Sequence, residues 1–456
     1  MRYNFRRMLV ILLLIMVIML TGCEREVVDI YPDGDSSDVY DEPVRTIDDL
    51  IAERNARVRL TLGVLHADLL LGGAHIAIED FNIHSTTHYV YIIDYSSLVP
   101  GDNFTDALRM LNMDIISGRA PDMLVLDRLP FEHYIERGLL VDLYSFLDFD
   151  PELGRESLVE DVLLSMESNG RLYRIAPFFL IDTIAGSREV LGDYPGWDLS
   201  EFMSGLENNP QADLPMGPFT TSGGFVWWLL GNIDEFIDRK SGEIFFDRGD
   251  FALLLDFAEN YISDDYFHFD FAQQRELIAS SRQIMEPLTL HNFIDLWVVS
   301  AMFDNDVVFK GWPRSDRSGS NFVLRPSFAI TTNASDKDGA WEFLRTLLMD
   351  RAQRLHFDLQ FPVSRSLFED RLNNAMRRPL RDQWERRELP SDAKLTEEDV
   401  ERFMQLMSSI SRTHDGVSDE LRGIVSEVVW DFLNGRNTSE EAARIAQNRV
   451  FIYVSE

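Results

Sequence analysis

Between residues 58 and 127 the hydrophobic period alternates between that of a strand and that of a helix, and few folds accept such a pattern. Val58, Leu60, Leu62 and Val64 alternate with Arg59, Thr61 and Gly63, the period of a strand. A short helical stretch ending at Phe81-Asn82 leads to a second strand over residues 89–95. Phe104, Ala107, Leu108, Leu111 and Ile115 then recur at helical spacing, and Gly118 is placed to stop that helix. Residues 122–127 form a third, short and apolar strand. The order βαβαβ predicts a parallel sheet covered by helices on its faces. In such sheets ligands sit beyond the carboxyl ends of the strands. The candidate site residues are therefore His66 and Asp68 after the first strand, Tyr95 and Ser96 after the second, and Asp127 and Arg128 after the third.

The first two dozen residues read as an address and not as structure. Arg2, Arg6 and Arg7 precede an apolar run of 13 residues over 8–20, short of the roughly 20 needed to span a bilayer as a helix. Leu20-Thr21-Gly22-Cys23 follows, with the only cysteine of the chain. This matches a bacterial lipobox, in which the thiol is acylated, palmitate being a typical chain, and the polypeptide is cut just before it. Residues 1–22 are thus expected to be a lipoprotein signal peptide and Cys23 the lipidated mature N-terminus. One modified thiol leaves no disulfide, thiolate metal cluster or cysteine nucleophile. Residues 23–57 are rich in carboxylates and poor in large apolar side chains, as expected of an acidic flexible tether. Asp33-Gly34-Asp35-Ser36-Ser37-Asp38 hints at a calcium loop, but an EF-hand register needs Gly at Asp38 and Glu at Val44.

The net charge of −34 disfavours nucleic acid and anionic lipid as partners, since both need clustered lysine and arginine. An acidic, solvated surface is its simplest reading. The second half is richer in helix. Phe251, Leu254, Leu255, Ala258 and Tyr261 mark one amphipathic helix, and Ala340, Trp341, Leu344, Leu347 and Leu348 another. Leu421, Ile424, Val425, Val428 and Phe432 mark a third, closed by Gly435, and Thr438 with Glu441 forms a capping box that opens the last helix. Residues 307–309 and 328–331 read as strands.

The order of these segments resembles that of the family 1 extracellular solute-binding lipoproteins, the sugar-type receptors of ATP-driven importers. The likeness is carried by Phe81-Asn82, Asp114-Ile115-Ile116-Ser117-Gly118-Arg119-Ala120-Pro121-Asp122 and Gly138-Leu139-Leu140-Val141-Asp142-Leu143. Asn169-Gly170-Arg171-Leu172-Tyr173, Gly196-Trp197, Ala340-Trp341-Glu342-Phe343, Phe361-Pro362-Val363 and the segment 427–435 continue it in the same order. The resemblance implies an α/β, two-lobed, type II periplasmic-binding-protein-like fold. Each lobe is expected to be a mainly parallel sheet flanked by helices, with hinge strands between the lobes and ligand enclosed as they close. The N-terminal lobe would take residues 58–128 plus about 285–333, the C-terminal lobe residues 129–284 plus 334–456, with a crossover at 333–338. A monomer is expected, working with the transmembrane permease subunits of an ABC importer, lipid-anchored on the outer face of the cytoplasmic membrane.

Sugars present apolar CH faces and a ring of hydroxyls, so a sugar site pairs flat aromatic rings with planar polar groups. Trp227 and Trp228 follow a Gly-rich turn, and Trp312 lies just past a strand end. Adjacent tryptophans do not share a helix face, so one of the pair at most is expected in a cleft. Asp127 and Asp182 are the expected acceptors of sugar hydroxyls and Arg128 a donor. Many members carry a Tyr-Asn pair where this chain has Ala185-Gly186-Ser187, which leaves the ligand class open. A surface hydrolase acting on polysaccharide and a sensor without a transporter remain alternatives. No Gly-x-Ser-x-Gly elbow or His-Glu-x-x-His helix points to catalysis. His84 and His88 flank the start of a strand, where their spacing does not converge on an ion, so no metal or other cofactor is expected.

Overall fold

The alternation that opens the ordered chain builds the centre of a sheet. The computed structural model describes residues 56–455 apart from 71–72, 218–219, 239–242, 263–270, 357–358, 382–388, 411–412 and 414–418. The signal peptide, Cys23 and all but the last two residues of the tether lie outside the described residues. The strands that position the site are β1 (Val58–Val64), β2 (His88–Asp94), β3 (Met123–Val125), β4 (Phe178–Ser187), β5 (Met285–Leu290), β6 (Val307–Phe309), β7 (Asn321–Val323), β8 (Phe328–Ile330) and β9 (Phe361–Pro362). The helices that pack around them include α1 (Ala74–His84), α2 (Phe104–Ile116), α3 (Leu199–Glu207), α4 (Ser222–Gly231), α5 (Asp250–Tyr261), α6 (Phe293–Met302), α7 (Lys337–Leu348), α8 (Arg365–Arg377), α9 (Glu397–Ser409), α10 (Asp419–Leu433) and α11 (Ser439–Ser455).

The first sheet has the order β8-β3-β1-β2. β1 runs parallel to β2 and β3, and β8 returns antiparallel to β3 with Phe328 opposite Val125. Both faces are buried, as a parallel sheet requires. Leu60, Leu62, Val64, Met123 and Val125 join one core, and Leu124, Leu126 and Ala329 join another with Ala107 and Leu111 of α2. Gly118, at φ 75°, ends α2's turn as expected.

The second sheet is organised by β4. Its ten residues pair with β9 at Phe179, with β5 from Ile181 to Gly186, with β7 from Leu180 to Asp182 and with β6 from Ala185 to Ser187. These pairs are antiparallel. Phe178, Phe179 and Ile181 belong to the first core, whereas Ile184 packs with Ile284 and Met285 in a second core. That second core also takes Phe202 of α3, Phe225 of α4, Leu255 of α5, Val425 of α10 and Ala446 of α11. One strand is thus shared by two hydrophobic cores, which is the two-lobed arrangement expected, but this second sheet is antiparallel where the resemblance implies a mainly parallel one.

The packing divides the chain differently from the expected lobe boundaries. Tyr144, Leu147, Val162 and Ile175 lie in the first core, with Leu344, Leu347 and Leu348 of α7. α7 packs on β8 and α1, so residues 333–338 turn back onto the first sheet and do not cross to the second lobe. The amphipathic stripe of α7 carries no label saying which sheet it covers. Only the short turn between β8 and α7 does so.

Asp122 ties this sheet together. Its Oδ2 accepts the Thr61 N–H at 2.8 Å and the Thr61 hydroxyl at 2.6 Å, and its Oδ1 accepts the N–H and hydroxyl of Ser335 at 2.8 and 2.9 Å. Burial disfavours the charged carboxyl, but the hydrogen bonds from Thr61 and Ser335 outweigh it and hold the pKa below its ordinary value. A lowered pKa stabilises the fold above the ordinary carboxylate range near pH 4, and this is lost as pH falls through the lowered value. Asp122→Ala is expected to lower the free energy of urea unfolding at pH 7 by about 2–4 kcal/mol. A loss below about 1 kcal/mol would show that these bonds contribute little.

Candidate functional site

A strand exposes alternate residues on one face, and on β4 these are Phe178, Leu180 and Asp182. They form the floor of a cavity of about 370 Å³. Register brings matching residues from both neighbours. Thr289 of β5 stands opposite Asp182, and Asn321 and Val323 of β7 stand opposite Asp182 and Leu180. His291 follows β5, and Arg325, two residues past Val323 on the same period, also lines the cavity. The second lobe supplies the facing wall: Trp227, Trp228 and Gly231 of α4, Asn232 that caps it, Trp312 from the turn after β6, and Arg422 of α10.

The tryptophan wall is fixed by polar contacts behind it. Trp228 and Trp312 are buried against each other, ring centroids 4.6 Å apart and tilted by 33°. Arg314, two residues past Trp312, is buried and donates to both Asp234 oxygens at 3.2 Å and to the Asn232 carbonyl at 3.1 Å. Asn232 in turn donates to the Trp228 carbonyl at 3.1 Å. Gly311, at φ 63°, lets the Trp312 turn form, because a Cβ there would meet the Gly319 backbone at 2.1 Å. Trp227 is 55% exposed and Trp228 3%, yet both line the cavity. The expectation that one at most would do so fails because the cleft wall spans more than one face of α4.

Asp182 is half-buried, and its Oδ1 accepts the Thr289 hydroxyl at 2.5 Å. Burial pushes its pKa up, opposed by that hydrogen bond and by the charges of Arg325 and His291. The pKa of His291 is raised by its contact with Asp295, 3.1 Å from Nδ1. Asn321, 2% exposed, has neither its amide nitrogen nor its carbonyl oxygen paired with a protein group.

The other expected site residues lie elsewhere. Asp127 is buried behind Arg325, whose Nε is 3.8 Å from its Oδ1, and its Oδ2 accepts the Ser327 N–H at 3.1 Å. Tyr95 is buried in the first lobe, its hydroxyl donating to Asp114 at 3.1 Å, so it is a packing residue. Arg128 lays its guanidinium 3.9 Å from the Phe104 ring centre, and His66 stacks on the same ring at 5.6 Å. This cluster does not line the cavity. Asp182, Trp227, Trp228 and Trp312 do, and residue type did not single out Arg325, Arg422, Thr289, His291, Asn232 and Gln360, which join them. The period of two along Asn321-Phe322-Val323-Leu324-Arg325 was the signal that could have found Arg325.

No family model and no curated protein sequence matches the chain. Solved structures do. A family 1 extracellular solute-binding protein from Alicyclobacillus acidocaldarius aligns with a TM-score of 0.51 at 14% identity, over 88% of this chain and 99% of that one. The chain has the fold of the family 1 extracellular solute-binding proteins. A provisionally named oligosaccharide periplasmic-binding protein from Synechococcus sp. MITs9220 aligns with a TM-score of 0.50 at 15% identity, over 87% and 99% of the two chains. Among the described residues no group of three or more His, Cys, Asp or Glu side chains is placed to hold a metal ion, and no helix is long and apolar enough to cross a membrane.

Burial raises the Asp127 pKa to about 6, against the pull of Arg325 and the Ser327 hydrogen bond. A raised carboxyl pKa favours the fold fully below the ordinary range near 4, and that stabilisation is lost as pH rises through about 6. Asp127→Asn is therefore expected to be more stable than the parent by about 2 kcal/mol at pH 8 and to lose that advantage by about pH 4. Thermal unfolding across this range checks it, and an advantage independent of pH contradicts it.

Proposed function

We propose that the chain is an extracytoplasmic solute-binding protein that captures an oligosaccharide in the cleft between its lobes and delivers it to an ABC permease. Lipid on Cys23 would hold it at the outer face of the cytoplasmic membrane, with residues 23–57 as tether. The observation that carries this reading is the facing of Trp227, Trp228 and Trp312 across a polar floor of Asp182 and Thr289, with the Asn232 and Gln360 amides beside them. Aromatic faces stack on the CH faces of pyranose rings, and carboxylate, hydroxyl and amide groups bond the equatorial hydroxyls. A cavity of about 370 Å³ is near the lower end for small-ligand sites. The name of the Synechococcus protein supports the same ligand class.

Binding rather than catalysis fits the lining better. Glycoside hydrolysis commonly needs two carboxyl groups flanking the scissile bond, and among the described lining residues Asp182 is the one carboxylate. The lobes are expected to work as a monomer that closes on its ligand, with no resident cofactor.

A thermal-shift screen of the full chain in a non-glycosidic detergent tests this, with oligosaccharides, peptides and polyamines as ligands. A saccharide well above its dissociation constant is expected to raise the melting temperature by a few degrees through mass action. Trp227→Ala should lower affinity for that saccharide about tenfold while leaving the free protein's stability within about 0.5 kcal/mol, because the ring is largely exposed. A clear shift with peptides and none with any saccharide overturns the reading.

A further inference from the structure

The cationic side chains that line the cleft outnumber its carboxylates, the reverse of the chain as a whole. Over the whole sequence carboxylates outnumber lysine and arginine 77 to 43. In the cavity lining Arg325, Arg422 and His291 stand against the single described carboxylate, Asp182, and burial draws Asp182 toward its neutral form. Arg325 is the most telling of these. Its side chain is 40% exposed, and its described charge partner, Asp127, is 3.8 Å from Nε, beyond hydrogen-bond distance. Asp127 already accepts the Ser327 N–H on its other oxygen. A guanidinium has five N–H donors in a planar fork. Asp127 from behind and Asp182 in the cleft hold it electrostatically, while none of its donors is hydrogen-bonded to a described residue.

From these observations, and resting on the saccharide reading above, we propose that the ligand is an acidic oligosaccharide, one bearing a uronate carboxylate, and that Arg325 receives that carboxylate. The fork of an arginine matches the two oxygens of a carboxylate, giving paired charge-assisted hydrogen bonds that a neutral hydroxyl cannot give. Arg422 contributes a second positive charge from the opposite lobe, so an anion in the cleft favours the closed arrangement in which both walls reach it. The remaining groups divide the other tasks. Trp228 and Trp312 take ring faces, and the Gln360 amide oxygen, which lines the cavity without a described partner, is an acceptor for a hydroxyl.

The test is calorimetric titration of the full chain with trisaccharides of galacturonate, glucuronate and mannuronate, each beside its neutral methyl ester, and with maltotriose and cellotriose. At least one acid is expected to bind roughly tenfold or more tighter than its own ester. Arg325→Gln should weaken the acid far more than the ester, so that most of the preference for the acid is lost. In the unaltered chain, added salt should shrink the preference for the acid. Neutral saccharides binding as tightly as the acids would overturn the acidic ligand while leaving the saccharide reading standing. Binding of no saccharide of either kind would overturn both. An acid preference that survives Arg325→Gln would remove Arg325 from its role. Should that variant not fold, Arg422→Gln and the salt titration decide, because a preference that neither reduces is not set by these arginines.

Discussion

One strand holds the molecule's two halves in register. Phe178–Ser187 forms ladder pairs with four other strands, beginning against the first core and ending against the second. Each pair satisfies backbone groups that would be costly to leave unbonded at the centre of the molecule. Because the strand's period is two, one face must be apolar where it meets Phe322 and Phe361, while the other is free to present Asp182. The ligand floor is therefore a by-product of the joint between the lobes. A shift of one residue in its register would exchange Asp182 for Ile181 in the cleft and carry Thr289 and Asn321 out of step with it.

A cleft built on such a joint keeps polar groups buried at some expense. An unpaired amide out of water costs roughly 1–3 kcal/mol, and Asn321 has both ends unpaired by protein. The buried Arg314 with Asp234 and Glu235 carries a desolvation penalty that its attraction only partly offsets. What these groups provide is position. Arg314 reaches Asn232, Asn232 reaches the backbone of Trp228, and Trp228 leans on Trp312. The tryptophan wall is thus held in place by its own neighbours, and a ligand bound against it would lose less entropy for that reason.

Local pattern made much of the fold legible. The strands at 58–64 and 307–309, α2 with its Gly118 stop, α5 and the Thr438–Glu441 cap stand where their periods and capping residues place them. β5 did not show, since Pro287 within it and the mixed run Met285-Glu286-Pro287-Leu288 hide the strand from a reading by alternation. The lobe boundaries failed for a different reason, because an amphipathic helix such as α7 records that it covers something apolar and not which sheet it covers. Among the residues that line the cavity, residue chemistry singled out the tryptophans and Asp182, which are rare types or sit on a strand. It overvalued Tyr95, because a strand's end marks a direction, and the side chain there still has to compete with Asp114 for its hydroxyl. Arg325 was missed because an arginine in an acidic chain reads as a solvated surface charge until its register beside β4 is known.

The contrast between that arginine and the rest of the surface shapes how a ligand could be taken up. Charges on an exposed surface are felt over about 8 Å at physiological ionic strength, so in the layer just outside the cleft the excess of carboxylates governs, and an anion is not drawn in. Inside the cleft the balance reverses within a few ångströms, where screening is weak and the low dielectric strengthens contact between unlike charges. Salt therefore acts on the two regimes with opposite sign, easing the approach and loosening the hold. Selection in such a cleft resides in the lifetime of the complex and not in steering. In the proposed complex the discriminating energy would fall on Arg325, Asp182 and the tryptophan wall, of which Asp182 is placed by the joint strand and the tryptophans by the Arg314 network.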